Sequence, residues 1–145
     1  ARDDAEIASV IGAGVISRTC IMGMASALPS LKKVKVFDIF KDKAEIFSHE
    51  ISEKLKLEVC AVDSFKEAVT ESDIISVAAS GKNPPSIENE WLKDGSLIIL
   101  SAAIAPNKEL YINNKLVTDN WKQHLKWLSD QKERNTIFER SRFYN

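Results

Sequence analysis

Residues 12–17, Gly-Ala-Gly-Val-Ile-Ser, place two glycines and a small residue at the spacing of a turn that brings backbone N–H groups against phosphate oxygens. In such a turn the first glycine permits the tight bend and the second lets the backbone approach a pyrophosphate. The third position needs only a small side chain so that helix and strand can pack, and Ser17 meets that need. A helix opening after Gly14 would add the unpaired N–H groups and partial positive charge of its N-terminus. Asp38 ends the next apolar run, Val36-Phe37-Asp38, near the spacing at which a carboxylate receives the hydroxyls of an adenosine ribose. Ile39 and Phe40 follow in place of a basic or hydroxylic pair, so a 2'-phosphate would meet uncompensated negative charge. The expected cofactor is therefore NAD(H) rather than NADP(H), with Ile39 grouped with Asp38 among its contacts. The purely structural alternative is that the glycines shape a strand–helix turn and Asp38 caps the next helix.

Strands and helices must hold these residues in place, and the chain carries the pattern for them. Apolar runs bounded by turn signals fall at 6–12 (EIASVIG), 33–38 (KVKVFD), 57–62 (LEVCAV), 73–79 (DIISVAA), 96–104 (SLIILSAAI) and 115–119 (KLVTD). Those of the second half are nearly continuous in Ile, Val, Leu and Ala, which predicts strands covered on both faces. Helices are predicted from Ile16 to Leu28, Lys41 to Leu55, Ser64 to Val69 and, briefly, near Ile87 to Leu92. Ser64 with Glu67 forms a capping-box pattern, Pro29-Ser30 closes the first helix, and Asp94-Gly95 makes a turn before the fifth strand. Strands alternating with helices imply βαβ units with right-handed crossovers. The expected fold is a Rossmann-type, doubly wound α/β domain with a mainly parallel six-stranded sheet and helices on both faces.

This domain is expected over residues 1–120. After it, residues 120–145 carry six basic and three acidic residues. A helix is predicted from Trp121 to about Arg134, its aromatics docking on the sheet or on another lobe. The 145 residues fit one domain, and 20 basic against 21 acidic side chains give a net charge of -1, which offers no footprint for nucleic acid or an anionic membrane. Cys20 and Cys60 lie in apolar surroundings without a CxxC or a nearby histidine, so free thiols and no metal site are expected. The chain has no apolar run near the ~20 residues of a membrane helix, and its opening ARDDAE lacks a signal-peptide profile. A cytoplasmic protein with a small-molecule partner is expected. The absence of an initiator Met suggests a fragment. His49 and His124 are read as surface residues and Glu109 as a structural hydrogen-bonding group. Arg18 is placed near a phosphate or a lobe contact, and Asp119 is a candidate at a strand's carboxyl end.

Taken in order, VIGAGVISR (10–18), KVFDIFKDKAEIF (35–47), SFKEAVTESDIISVAASGKNPP (64–85), EWLKDGSLI (90–98), APNKEL (105–110) and KLVTDNW (115–121) resemble the ornithine cyclodeaminase and mu-crystallin family. The resemblance runs from about Ala5 to Asn120. It implies a two-lobed enzyme whose Rossmann lobe is this chain, with the lobe that binds the amino acid and makes the homodimer preceding residue 1. Family members use NAD(P)(H) at an amino-bearing carbon through an imine. They include cyclodeaminases, amino-acid dehydrogenases, ketimine reductases and opine-like enzymes on the route to diaminopropionate. By position, Gly12, Gly14, Val15 and Ile16 would contact the pyrophosphate and Asp38 the ribose. Ala78, Ala79 and Ser80 would lie along the nicotinamide half, and Ser101, Ala102 and Ala103 would face its ring.

The chain departs from the family pattern at three places. Ile16 and Ser17 stand where Gln and Ala are common, VAASG stands for TATPS, and Ile104 stands where cyclodeaminases carry a catalytic Asp. Ile104 has no group to move a proton to or from a substrate amine, so ring-closing deamination is disfavoured. KVFDI and DNWKQH are closer to the diaminopropionate-forming branch. The resulting expectation is the NAD(H)-binding lobe of an oxidoreductase acting on an amino acid or its imine, its catalytic residues unknown and supplied by the other lobe. The alternatives are a non-catalytic mu-crystallin-like binder of nucleotide and small ligand, a true ornithine cyclodeaminase, and a Rossmann domain of another dehydrogenase family.

Overall fold

In the computed structural model, which describes residues 1–79, 84–105, 107–123 and 143–144, residue-by-residue alternation along the strands decides how the sheet is covered. Strands β1 (Ile7–Ile11), β2 (Lys33–Phe37), β3 (Glu58–Ala61), β4 (Ile74–Val77) and β5 (Leu97–Leu100) form one parallel sheet in the order β3-β2-β1-β4-β5. Paired residues of a parallel ladder share a face, so Ala8, Val10, Val34, Val36 and Ile74 project together. Helix α1 (Val15–Ala27) meets them with Ile21 and Met24, and α2 (Lys41–Leu55) with Ala44, Phe47 and Ile51. The spacing of that last trio is what puts three apolar side chains on one helical stripe. Ile11, Ile75 and Val77 point the other way, to the side where α3 (Phe65–Val69) buries Ala68 and Val69. Phe37, Phe65 and Trp91 extend that side as edge-to-face rings with centroids 6.1 and 6.3 Å apart.

The chain divides into two compact units, residues 1–85 with 90–105, and residues 86–89 with 106–145. The sheet belongs to the first. In the second, Asn107 caps α4 (Lys108–Asn113): its Oδ1 accepts from the N–H groups of Glu109 and Leu110 at 3.1 and 3.3 Å, and its Nδ2 donates to the Ile87 carbonyl at 2.7 Å. Among the described residues of that unit, Ile87 and Leu110 are the buried apolar ones. Among the described residues no helix is long and apolar enough to cross a membrane.

Local chemistry sets the element boundaries. Ser64 Oγ accepts from the Glu67 N–H at 3.1 Å, while the Glu67 carboxylate reaches the Asp63 N–H, one residue before the cap, at 3.1 Å. At the far end of α3 the Lys35 ammonium donates to the carbonyls of Thr70 and Glu67 at 2.8 and 3.3 Å, satisfying acceptors that a helix end leaves open. Gly95, at φ +76°, makes the turn before β5.

Two expectations need correction. Among the described residues the main sheet has five strands, because the run at 115–119 yields only β6 (Leu116–Val117), which pairs in parallel with β7 (Phe143–Tyr144) in the second unit. Periodicity reveals that a segment is extended, whereas its partner is chosen by tertiary contact. The second correction concerns coverage. β4 is buried throughout, but Leu97, Ile99 and Leu100 of β5 are exposed. β5 lies at the edge of the sheet, and the described part of its connection from β4 holds a single 3-10 turn (Asn89–Trp91) rather than a covering helix. The helix expected from Trp121 is present at 121–123, where the Asn120 side chain accepts from the Gln123 N–H at 3.0 Å; its continuation to Arg134 lies outside the described residues.

A buried carboxylate ties the amino-terminal edge of the sheet. Asp73 Oδ2 accepts from the N–H groups of Glu6 and Ile7, both at 3.0 Å, and Oδ1 receives the Lys93 ammonium at 2.5 Å. Burial works against its charge, but Lys93 and the two N–H donors outweigh that and hold the carboxyl at about 2, below its ordinary 3.8. Such a depression is worth about 2 kcal/mol at neutral pH, complete above about pH 4 and lost as pH falls through about 2. Asp73→Asn is therefore expected to lower stability in urea unfolding by about 2 kcal/mol at pH 7, with wild type and variant converging towards pH 2. An equal difference at both ends of that range would refute the clamp.

Candidate functional site

The strand order reverses between β1 and β4, and in a doubly wound sheet the loops diverge there and leave a crevice beyond the carboxyl ends of the strands. The turn from β1 to α1 sits at that place. Gly12 has φ +100°, and a Cβ there would stand 2.9 Å from the Ala79 Cα and 3.1 Å from the Ala78 carbonyl carbon. Glycine is thus required twice over, by conformation and by the close passage of the loop after β4. Gly14 is different. Its φ of -110° suits any residue, and a Cβ would meet nothing within 4 Å.

Beyond Gly14 the helix start is open. The first intrahelical bond runs from the Arg18 N–H to the Gly14 carbonyl at 3.1 Å, so the N–H groups of Val15, Ile16 and Ser17 precede it and have no partner within the helix. No side chain caps this end and no acidic residue lies in its first turn, which leaves the positive end of the helix uncompensated. Val15 and Ile16 are 79% and 50% exposed around it, although both are apolar.

The carboxylate of Asp38 reaches this turn. Its Oδ2 accepts from the Ala13 N–H at 2.8 Å and its Oδ1 from the Phe40 N–H at 2.9 Å, while the Gly12 N–H donates to the Phe37 carbonyl at 2.8 Å. Ile39, 80% exposed, stands beside it. The cations that follow it in the chain are turned elsewhere: Lys41 pairs with Asp63 at 2.6 Å, and Lys43 lies 4.5 Å from the centroid of the Phe40 ring.

Other sequence-identified residues fall on the same carboxyl edge. Ala78 donates its N–H to the Ile11 carbonyl at 2.9 Å, and Ser101 and Ala102 both donate to the Val77 carbonyl, at 2.9 and 3.0 Å. The ends of β1, β4 and β5 are thereby brought side by side, with Gly12, Ala79 and Ala102 in one neighbourhood. Ser80 and His124 lie outside the described residues. Ile104 is buried at 3% exposure. Arg18 turns away from the helix start, pairing with Glu50 at 2.6 Å and lying 5.1 Å from the Phe47 ring centroid. His49 is exposed near Glu53, and Asp119 is exposed in the second unit.

By its place in the turn Ser17 needs only to be small. In the structure it is fully buried and its hydroxyl donates to the Gly12 carbonyl. The legible signal was its departure from Gly or Ala at that position, because a hydroxyl buried there needs a partner.

Strand order, switch-point crevice and glycine turn together define a Rossmann-type domain. The chain belongs to the ornithine cyclodeaminase/mu-crystallin family, whose model matches residues 1–138. Over 117 residues it is 26% identical to N-((2S)-2-amino-2-carboxyethyl)-L-glutamate dehydrogenase of Staphylococcus aureus, covering 79% of this chain and 34% of that protein. Over 99 residues it is 26% identical to the protein SAR DEFICIENT 4 of Arabidopsis thaliana, covering 66% of this chain and 30% of that one. The structure of Thermococcus litoralis Δ1-pyrroline-2-carboxylate reductase in complex with NADH and L-proline superposes with a TM-score of 0.73 at 33% identity, over 83% of this chain and 38% of that one. The chain spans about a third of the length of the curated relatives it matches.

The two glycines are expected to separate in unfolding experiments. Gly12→Ala combines an unfavourable φ with a backbone clash and should cost about 3 kcal/mol or prevent folding. Gly14→Ala should leave stability unchanged or raise it by about 0.5 kcal/mol, because alanine narrows the unfolded ensemble without strain in the fold. A large loss at Gly14 would show that the fold itself needs that glycine.

Proposed function

We propose that residues 12–17, Asp38, Ile39 and the loops after β4 and β5 bind NAD(H), and that this chain is the nucleotide-binding lobe of an oxidoreductase acting on an amino acid or its imine. The observation that carries this is Gly14: an exposed glycine without a conformational or packing requirement, at the uncapped N-terminus of a 13-residue helix, in the switch-point crevice. A residue kept bare where the fold has no use for it fits a surface that a ligand's phosphates approach closely. The N–H groups of Val15 and Ile16 would hold the pyrophosphate, and Asp38 the ribose hydroxyls through its remaining lone pairs. Ala78 and Ala79, with Ser80, would flank the nicotinamide half, and Ser101, Ala102 and Ala103 would face the ring.

When bound, the dinucleotide supplies hydride exchange with the carbon that bears nitrogen. The chain's own contribution is to orient the ring and to cover it with small apolar residues that exclude water. NAD(H) is preferred over NADP(H), since the Asp38 carboxylate would repel a 2'-phosphate while Lys41 and Lys43 are engaged elsewhere. Family membership and the Thermococcus litoralis reductase solved with NADH and L-proline support the same reading. The substrate-binding lobe, the acid/base group and the homodimer contact would belong to the remainder of a longer protein, as the third-length match to relatives suggests. Unpaired Cys20 and Cys60 suit work in the reducing cytoplasm.

The apolar, buried Ile104 favours a dehydrogenase or imine reductase over a ring-closing deaminase, and it also leaves room for a non-catalytic binder of nucleotide and small ligand. Turnover of amino acids by the full-length protein separates the two. The decisive experiment is calorimetric titration with NADH and NADPH. NADH should bind more tightly, Asp38→Ala should weaken it about 10- to 100-fold, and Gly14→Ala should weaken it while the unfolding midpoint stays in place. Absence of binding to either nucleotide by the full-length wild type would overturn the assignment.

A further inference from the structure

One peptide group in the glycine turn is held at both ends. Its carbonyl, that of Gly12, accepts from the buried Ser17 hydroxyl, and its N–H, that of Ala13, donates to Asp38 Oδ2 at 2.8 Å. The preceding N–H of Gly12 is bonded to Phe37 at 2.8 Å, so the peptide plane cannot rotate without breaking a hydrogen bond on one side or the other. Rotation would otherwise be easy. Gly12 sits at φ +100°, where glycine moves between wells with little penalty, and the far side of the turn at Gly14 faces open space. Neither partner is demanded by the ordinary requirement for this position, which is small size and not hydrogen bonding.

We propose that Ser17 and Asp38 act as a clamp on the Gly12–Ala13 peptide that sets the direction of the phosphate-facing N–H groups following it. Ser17 is on this view a positioning residue for the cofactor's pyrophosphate, and Asp38 serves both the ribose and the phosphate turn. The proposal rests on the dinucleotide reading above. It makes the two halves of the site interdependent, since a ribose that draws on Asp38 bears on the same carboxylate that holds the turn. The hydroxyl acts through the peptide, at one remove from the ligand.

The test is a double-mutant cycle of Ser17→Ala and Asp38→Ala in the full-length protein, with unfolding in urea followed alongside. NADH and ADP-ribose are titrated by calorimetry, and adenosine, which lacks the pyrophosphate, by saturation-transfer NMR. Loss of one ordinary hydrogen bond corresponds to roughly a five- to tenfold weakening. Ser17→Ala is expected to weaken NADH and ADP-ribose by that factor and to leave adenosine unchanged. Asp38→Ala should weaken all three, and the double variant should weaken ADP-ribose by less than the product of the single effects, because both changes release the same peptide. If Ser17→Ala lowers stability but leaves ADP-ribose within twofold of wild type, or weakens adenosine equally, Ser17 is a packing residue and the clamp is wrong. Multiplicative effects on ADP-ribose would likewise refute a shared peptide. Failure of wild type to bind NADH at all would instead overturn the cofactor assignment, a distinct outcome.

Discussion

Where the turn after β1 passes over the chain leaving β4, backbone packs directly on backbone. With only 2.9 Å between the Ala79 Cα and the place a Cβ would occupy on Gly12, the two strand ends meet with no side chain interposed. Much follows from that contact. It lies where the carboxyl ends of β1 and β4 come together and the strand order reverses, at the residue whose positive φ turns the chain into α1. The start of α1 thereby lies at the switch point, and its exposed first turn leaves the N–H groups that precede the first intrahelical bond open to an anion.

The two ends of the sheet divide the work between them. At the amino-terminal edge Asp73 gathers the backbone of Glu6 and Ile7 and the ammonium of Lys93, and its charge is fully satisfied inside the fold. At the carboxyl edge the polar groups are deliberately less complete: the helix start has no cap, Asp38 keeps lone pairs beyond the two N–H groups it accepts, and apolar Val15, Ile16 and Ile39 face outward. Hydrogen bonding is saturated within the fold at the first edge, and at the second the open donors beside an exposed glycine are left for solvent or a ligand. The same asymmetry is seen in the glycines, since Gly12 serves the fold and Gly14 has no duty within it.

Apolar exposure tells a parallel story at β5. Leu97, Ile99 and Leu100 lie at a sheet edge without a helix above them in the described chain, in contrast to β4, which is buried along its length. An uncharged, apolar edge strand is exposed to pairing with another chain.

From the sequence by itself came the order of β1 to β5 and α1 to α3, the glycine turn, the acidic end of β2 and the Ser64 cap, because each is encoded by residues close together in the chain, whereas α4 and β7 carry no such local signal. Tertiary structure decided the rest. Whether the run at 115–119 joins the main sheet depends on which edge it meets, and it pairs with β7 instead. Whether an apolar strand is covered depends on what crosses over it, as β5 shows against β4. The hydroxyl of Ser17 and the carboxylate of Asp38 converge on one peptide from positions 21 residues apart, and no periodicity specifies such a meeting. It exists because β1, β2 and α1 are packed into one corner, where distances are set by the fold and not by the spacing along the chain.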